Sequence, residues 1–282
     1  MSAMAAARAD VAAETGRLDL VFARDPDGRT FIARQYAGYP FHVCRALYAD
    51  TELPGMATLY TQSSAGGLFD GDRLAINVAA EAGAQVHLTT QASTIVHRGA
   101  AAQEVRLTAA PKALLEYVPD PTILFPDAHL RARLEIALDD TACVILGDSF
   151  IAHDPDGAGC PFGTLDNRTR ITDATGTLRV LDRFHVDGTD WADGKVGRLG
   201  PHAAQGTLMV LAPSHPPITD ALRAALPDRP GLYAGASDLP NNTGAWLRLL
   251  ATDGAVLKSA MTTAWSAARE ALTGHHPAPR RK

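Results

Sequence analysis

The feature that most constrains the fold of this chain is a two-residue alternation of apolar and polar or small side chains in many short runs. Leu74, Ile76 and Val78 show this alternation, and it recurs at residues 86–88 and 134–138. Successive side chains of a β-strand point to opposite faces of a sheet, so the pattern predicts strands with one buried face. No internal repeat is visible in the residue identities. The sequence therefore predicts a mainly β fold.

Turns and one helix complete this prediction. Asp70-Gly71, between two of the apolar runs, predicts a hairpin turn. Apolar residues recur at helical spacing late in the chain, which predicts a helix over about 259–272, capped by Ser259 and ended by Gly274. The expected organisation is a flexible lead-in at 1–16, a single β-rich domain at 17–274 and a flexible tail at 275–282.

Composition excludes several classes of function. The chain has 282 residues, a hydrophobic fraction of 46% and a net charge of −5, which is typical of a globular protein that does not bind nucleic acid through general electrostatics. Its three cysteines are far apart and form no disulfide framework or zinc motif. No run approaches the roughly 20 apolar residues of a membrane helix. We therefore expect a cytoplasmic protein without a membrane or nucleic-acid partner.

One segment resembles an enzyme motif. Gly147-Asp148-Ser149 follows an apolar strand, as in GDSL-like serine esterases, and His185 follows Asp182 at a spacing that suits a base and its orienting carboxylate. Only about thirty residues separate the two blocks, whereas the esterase fold places several βα units between nucleophile and base. The esterase built on Ser149 and His185 is therefore the alternative, and a strand ending in a turn is the favoured interpretation.

Possible cation ligands are few. His275 and His276 are adjacent and could bind a metal such as Ni²⁺, but on a tail predicted to be flexible two solvated histidines are the favoured interpretation. Asp72 could attract a cation or could bond its own turn. Glu116 lies inside an apolar run, so it must be paired, functional or solvent-facing, and the pattern by itself slightly favours the solvent face of an edge strand.

Three ordered blocks resemble the UreD (UreH) family of urease accessory proteins. Residues 66–74 resemble the family block Gly-Gly-x-x-x-Gly-Asp-x-Leu. Residues 88–98 resemble Thr-Thr-Gln-Ala-x-Thr-Lys-x-Tyr-Arg, and residues 115–125 resemble Leu-Glu-Trp-x-Pro-x-x-x-Ile-x-Phe. The chain departs from the family at Ile95, His97 and Tyr117, where the family has Lys, Tyr and Trp.

The resemblance implies an elongated, stacked-sheet, helical β arrangement with few helices and no catalytic residues. It implies a scaffold that binds UreF and UreG, docks on apo-urease and conveys Ni²⁺ in transit, with no tightly bound cofactor. Residues implied in a nickel path or in partner contacts are Asp72, Thr90, Glu116 and Asp120. Residues implied to shape the motif blocks are Gly66, Gly67, Gly71, Arg73, Gln91, Arg98, Pro119 and Phe125.

Overall fold

The computed structural model describes residues 15–195, 198–214, 218–226, 228 and 230–280. Within these residues the chain forms two β-sheets and three α-helices, which confirms the predicted mainly β fold. The first sheet contains β1 (Gly16–Arg24), β2 (Thr30–Ala37), β5 (Arg73–Ala80), β8 (Gly99–Ala109), β11 (Ala128–Leu138), β13 (Thr164–Asp173) and β14 (Leu178–Asp187). The second sheet contains β3 (Phe41–Val43), β4 (Ala57–Ser63), β6 (Gln85–Thr90), β7 (Thr94–Val96), β9 (Leu114–Tyr117), β10 (Thr122–Leu124), β12 (Cys143–Ala152), β15 (Ala204–Leu211), β16 (Leu232–Asp238) and β17 (Gly244–Ala251). The helices are α1 (Gly188–Ala192), α2 (Thr219–Ala225) and α3 (Gly254–Thr273), and a 3₁₀ turn covers Pro240–Asn242.

Successive coils of the chain stack on one another and alternate between the two sheets. The chain passes from β4 to β5, then to β6, β8, β9, β11 and β12, changing sheet at each of these steps. Neighbouring strands in the centre of each sheet are parallel, as expected when a crossover connects them. Val86 pairs with Ala57 and Ile123 pairs with Ile95, so equivalent positions are 29 or 28 residues apart. This structural repeat is invisible in the sequence because coils share their burial pattern and not their residues.

The predicted hairpin at Asp70-Gly71 is wrong. The turn exists, but β4 before it lies in the second sheet and β5 after it lies in the first. A hairpin requires two antiparallel neighbours, whereas β5 pairs in parallel with β1 and β8. The turn therefore carries the chain from one sheet to the other.

Two strands of the second sheet are interrupted at the same level. Residues 91–93 separate β6 from β7, and residues 118–121 separate β9 from β10, while β12 runs through and pairs with both β9 and β10. Pro119 and Pro121 have no N–H to donate, so the ladder cannot continue through them. The N–H of Asp120 donates instead to the side-chain oxygen of Thr90, at 2.9 Å. Two of the three motif blocks therefore meet at an opening in the sheet.

Helix α3 covers the outer face of the second sheet. It begins at Gly254, five residues before the predicted start, because the Asp253 side chain accepts the N–H groups of Ala255 and Val256 and caps the helix. It ends before Gly274, whose φ of 74° is the left-handed conformation expected after a helix. One apolar core fills the space between the sheets, and another joins the second sheet to α2 and α3. No helix in the described part of the chain is long and apolar enough to cross a membrane.

The division of the chain into lead-in, domain and tail stays a prediction. Of residues 1–16, only Thr15 and Gly16 are described, and Gly16 already begins β1. Of residues 275–282, residues 277–280 line a pocket with Trp265 and Arg269, and the Arg280 side chain is only 15% exposed, whereas that of His276 is 69% exposed.

Candidate functional site between the two sheets

A cavity of about 230 Å³, which we call the motif cavity, lies between the two sheets at the interruption of β6 and β9. Thr90, Gln91, Pro119 and Asp120 line it, together with Gly66 and Gly67 from the first motif block. Leu74, Ile76 and Gln103 close it on the side of the first sheet. The structure therefore brings all three motif blocks to one cavity, and its lining includes hydroxyl, amide and carboxylate oxygens.

A smaller cavity of about 60 Å³, which we call the inner cavity, adjoins it. Five residues line both cavities: Gln103, Tyr117, Pro119, Asp120 and Thr122. The inner cavity also exposes Asp148 and Ser149 of β12 opposite Arg133 and Asn167 of the first sheet. The space between the sheets thus contains two neighbouring polar cavities within an otherwise apolar core.

Asp148 is the most unusual group of the inner cavity. The side-chain amide of Asn167 donates to its Oδ2 at 2.6 Å, but Oδ1 is buried and has no hydrogen-bond partner among the described residues. Burial raises the pKa of Asp148 to about 6, against the opposing effect of the Asn167 hydrogen bond and the Arg248 charge. Asp148 therefore keeps its proton to a higher pH than an exposed aspartate does.

Glu116 occupies a different environment from the one that the pattern favours. It lies on β9, an inner strand between β6 and β12, and it is fully buried, so the expectation of a solvent-facing residue on an edge strand is wrong. Arg269 of α3 donates to both oxygens of Glu116, and the Trp265 indole N–H donates to Oε2 at 2.9 Å. His87 contacts the same oxygen at 2.8 Å, and Arg269 also pairs with Asp50 at 2.8 Å. Glu116 therefore joins α3 to the sheet, and it lines neither the motif cavity nor the inner cavity.

Burial and hydrogen bonding shift the pKa values of two members of this group in the same direction. We call the group the Glu116 cluster; it consists of Asp50, His87, Glu116, Trp265 and Arg269. Burial by itself would raise the pKa of Glu116, but the hydrogen bonds from Arg269 and His87 lower it to about 2. Burial also lowers the pKa of His87. A neutral His87 must donate from Nδ1 to the carboxylate, so its Nε2, which has no partner among the described residues, carries the lone pair.

The remaining residues of the first motif block shape the loop that leads to the cavity. The Asp72 carboxylate accepts the N–H of Phe69 at 2.8 Å, so it closes its own turn, and it lines neither cavity. Gly67 and Gly71 both have positive φ, and a Cβ on Gly67 would lie 2.3 Å from the carbonyl oxygen of Ile95. Only glycine fits at Gly67. The backbone N–H of Arg73 donates to the Thr15 hydroxyl at 2.8 Å.

The other motif residues lie on the surface at successive coils. Arg98 pairs with Asp127 at 2.9 Å, and these side chains are 79% and 63% exposed. His97 stacks on Phe69, with ring centroids 4.4 Å apart, and meets Phe125 edge-on at 5.5 Å. His97 therefore keeps the flat ring that a tyrosine would place there.

The two tail histidines face different carboxylates. His275 contacts Glu52 at 3.1 Å, and His276 contacts Glu270 at 3.2 Å. No group of three His, Cys, Asp or Glu side chains within the described ranges is arranged to hold a metal ion. The pair alone supplies too few ligands for a tight site.

The esterase arrangement is not assembled. Ser149 is buried on β12 of the second sheet, whereas His185 is exposed on β14, an edge strand of the first sheet. Asp182 and His185 are three residues apart on one strand and therefore point to opposite faces. Asp182 pairs with Arg248 at 2.7 Å instead.

Sequence reasoning missed Asp148 as a candidate cavity residue. In the sequence Asp148 belongs to the esterase-like motif, and it is also a carboxylate inside the apolar run Val144–Ile151. The same signal singled out Glu116. The apolar run by itself is enough to single out Asp148. That its side chain points toward the first sheet follows only from the pairing of β12 with β9 in the second sheet.

Comparisons with known proteins agree with the family that the three motif blocks resemble. A family model described as UreD urease accessory protein matches residues 14–282. The chain is 44% identical to urease accessory protein UreD 1 of Methylorubrum extorquens (strain PA1), over 93% of this chain and 90% of the relative. It is 42% identical to UreD 1 of Methylorubrum populi (96% and 94%) and 32% identical to UreD of the more distant Natronomonas pharaonis (92% and 88%).

Proposed function

Because the chain belongs to the UreD family of urease accessory proteins, we propose that it conveys Ni²⁺ toward apo-urease through the polar space between its two sheets. The observation that carries the proposal is the motif cavity, where Thr90 and Asp120 face Gly66, Gly67, Gln91 and Pro119. Residues from three separate motif blocks meet there, and the inner cavity continues the polar lining toward Asp148.

The chemistry of these side chains supports transit in preference to storage. Carboxylate, hydroxyl and amide oxygens hold a divalent cation weakly, whereas thiolate and imidazole cages hold it tightly. A conduit must bind an ion well enough to admit it and weakly enough to release it. Asp120, Thr90 and Gln91 supply oxygen ligands of this kind, and Ni²⁺ is then a cargo and not a cofactor.

The geometry favours some of the predicted residues over others. Thr90 and Asp120 line the motif cavity, so the proposed path includes them, and it extends to Asp148. Asp72 and Glu116 bind other groups of the protein, so we assign them to the loop and to the anchoring of α3.

The proposed role is that of a scaffold without turnover that acts with UreF and UreG on apo-urease in the cytoplasm. The family name supports an association with urease maturation. The three free cysteines suit a reducing compartment. A pull-down of the full chain against UreF and against apo-urease tests the partners directly, and binding to neither would overturn the scaffold role.

The path is tested by Asp120→Asn in cells that express the urease subunits and accessory proteins. The amide keeps the shape of the side chain but removes its charge, so we expect the nickel content and activity of purified urease to fall about tenfold, as for a loss of ~1.4 kcal/mol in cation binding. Asp127→Asn is the matched control, because Asp127 is exposed and lines neither cavity. Equal nickel content with both variants would overturn the path through Asp120.

A further inference from the structure

Arg280, near the end of the described residues, places a partly buried cation next to the motif cavity. The Arg280 guanidinium lies over the Trp265 ring, 4.7 Å from its centre, and its Nη2 donates to the carbonyl oxygen of Val118 at 3.0 Å. Its Nη1 lies 3.8 Å from the Asp120 carboxylate. The side chains of Arg280 and Asp120 are only 15% and 5% exposed, so solvent screens this pair poorly.

Asp120 stands between this cation and the motif cavity. It belongs to the segment 118–121 that leaves the second sheet, and it lines both cavities on the inner side. Arg280 approaches the same segment from the outer side, where it lines a pocket with His87, Trp265 and Arg269. The interruption of β9 therefore lets one carboxylate face the cavity and the C-terminal guanidinium together.

We propose that Arg280 sets the cation affinity of Asp120, acting as a fixed positive charge that keeps the motif cavity a weak site for divalent cations. This inference rests on the proposed function, because it concerns the same cavity. Arg280 is a positioning residue that acts through Asp120 and does not itself contact the ion.

Electrostatics gives the direction of the effect. A divalent cation bound to Asp120 would share the carboxylate with a guanidinium that stays protonated at any physiological pH. The two positive charges repel each other, and in a poorly hydrated region the repulsion is stronger than in water. Removing the charge of Arg280 must therefore strengthen cation binding at Asp120 and slow its release.

The pair Arg98–Asp127 is a natural control for this arrangement. It contains the same two groups at 2.9 Å, but both side chains are largely exposed. Because solvent screens an exposed ion pair, the attraction between its two charges contributes little free energy. Replacing Arg98 should therefore leave the affinity of the motif cavity unchanged.

The test is Ni²⁺ binding to the purified full chain, titrated with NiCl₂ by calorimetry, for Arg280→Gln, Arg280→Lys, Arg98→Gln and the double variant Asp120→Asn/Arg280→Gln. We expect Arg280→Gln to bind Ni²⁺ about tenfold more tightly. One nearby charge commonly shifts the pKa of a carboxyl group by about one unit or more, which corresponds to a tenfold change in a dissociation constant. Arg280→Lys, which keeps the charge, and Arg98→Gln should match the parent. The double variant should lose the gain, because Asp120 is the group through which Arg280 acts.

A second readout separates charge from folding. Arg280→Met keeps the apolar stem over Trp265, so it serves if Arg280→Gln unfolds, and circular dichroism identifies which variants are folded. Unchanged Ni²⁺ affinity in a folded, uncharged variant would overturn the inference, as would a gain that persists without Asp120.

If Asp120→Asn lowers urease nickel content while Arg280→Gln leaves affinity unchanged, this inference fails and the proposed path stands. If Asp120→Asn leaves the nickel content of urease unchanged, the path itself fails.

Discussion

Glu116, which is fully buried, and Asp148, whose Oδ1 is buried, lie on neighbouring strands of one sheet, yet their environments are opposite. β9 and β12 pair directly, with Glu116 beside Ile145. Glu116 points outward to α3, where Arg269, Trp265 and His87 surround it, and its pKa falls to about 2. Asp148 points inward to the first sheet, where Asn167 is its hydrogen-bond donor, and its pKa rises to about 6.

The difference separates an anchor from a candidate ligand. A buried carboxylate whose oxygens accept several charged hydrogen bonds is fixed as an anion, and it has no capacity left for an ion in transit. A buried carboxylate with an unfilled oxygen destabilises the fold, so it is retained at a cost and is available to a cation. The outward position on β9 therefore serves stability, and the inward position on β12 lines a cavity of the proposed function.

The largest expected effect is on the anchor. Arg269→Met keeps the length of the side chain but leaves Glu116 and Asp50 buried without their main cation, so we expect the free energy of unfolding to fall by about 3–5 kcal/mol. Urea unfolding at pH 7 measures it. Arg98→Met, at an exposed pair, should cost less than about 1 kcal/mol. Similar losses for the two variants would show that the Glu116 cluster is not an anchor.

The opposite sign is expected at Asp148. Its folded pKa lies above its usual 3.8, so the carboxylate destabilises the folded state at pH 7.5, and this cost begins to fall as the pH drops below about 6 and is lost below 3.8. Asp148→Asn should therefore raise the free energy of unfolding by about 1–2 kcal/mol at pH 7.5, by about half as much at pH 5 and by much less at pH 4. Loss of stability at pH 7.5 would mean that the charge of Asp148 is satisfied and that the contrast with Glu116 is false.

The smallest effect concerns His87. Its folded pKa lies below the usual 6.5, so the unfolded chain binds a proton first as the pH falls. Stability from this group is present above pH 6.5 and declines below it, by at most about 1.4 kcal/mol per pH unit. Glu116, Arg269 and Arg280 are the charged groups that act on His87, and Asp50 lines the same pocket.

Comparison with a variant isolates this contribution from that of Asp148, which changes in the opposite direction. We expect His87→Gln to lose less stability than the parent between pH 7 and pH 5.5, measured by urea unfolding. His185→Gln is the control, since His185 is exposed. A parent and a His87→Gln variant with the same pH dependence would show that His87 is not held neutral.

Local patterns predicted much of the fold because they depend on neighbouring residues only. The alternation at residues 74–78, 86–88 and 134–138 correctly predicts β5, β6 and β11. The late helix was found but was placed too late, since Asp253 and not Ser259 caps it. The hairpin at Asp70-Gly71 was wrong because a turn signal shows where the chain reverses and not which strand it pairs with afterwards.

The candidate site, too, could be predicted only as far as its signals lie in neighbouring residues. The order of the three blocks indicated the family, and Thr90 and Asp120 were singled out within them; both line the motif cavity. Arg280 was included only in a tail predicted to be flexible, because nothing in residues 275–282 indicates that a guanidinium would reach Asp120, 160 positions earlier. A contact of this length in sequence has no local signature.

The sequence by itself determined that this chain is a mainly β member of a recognisable family, because alternation and ordered motifs are properties of short segments. Only the tertiary structure decided which face each carboxylate occupies. The 28- or 29-residue stacking of coils brings residues 66–67, 90–91 and 119–120 to one cavity, and α3 brings Arg269 to Glu116. Two carboxyl groups thus acquired opposite pKa shifts and different roles, because burial and hydrogen-bond donors, and not residue type alone, set the energy of a buried charge.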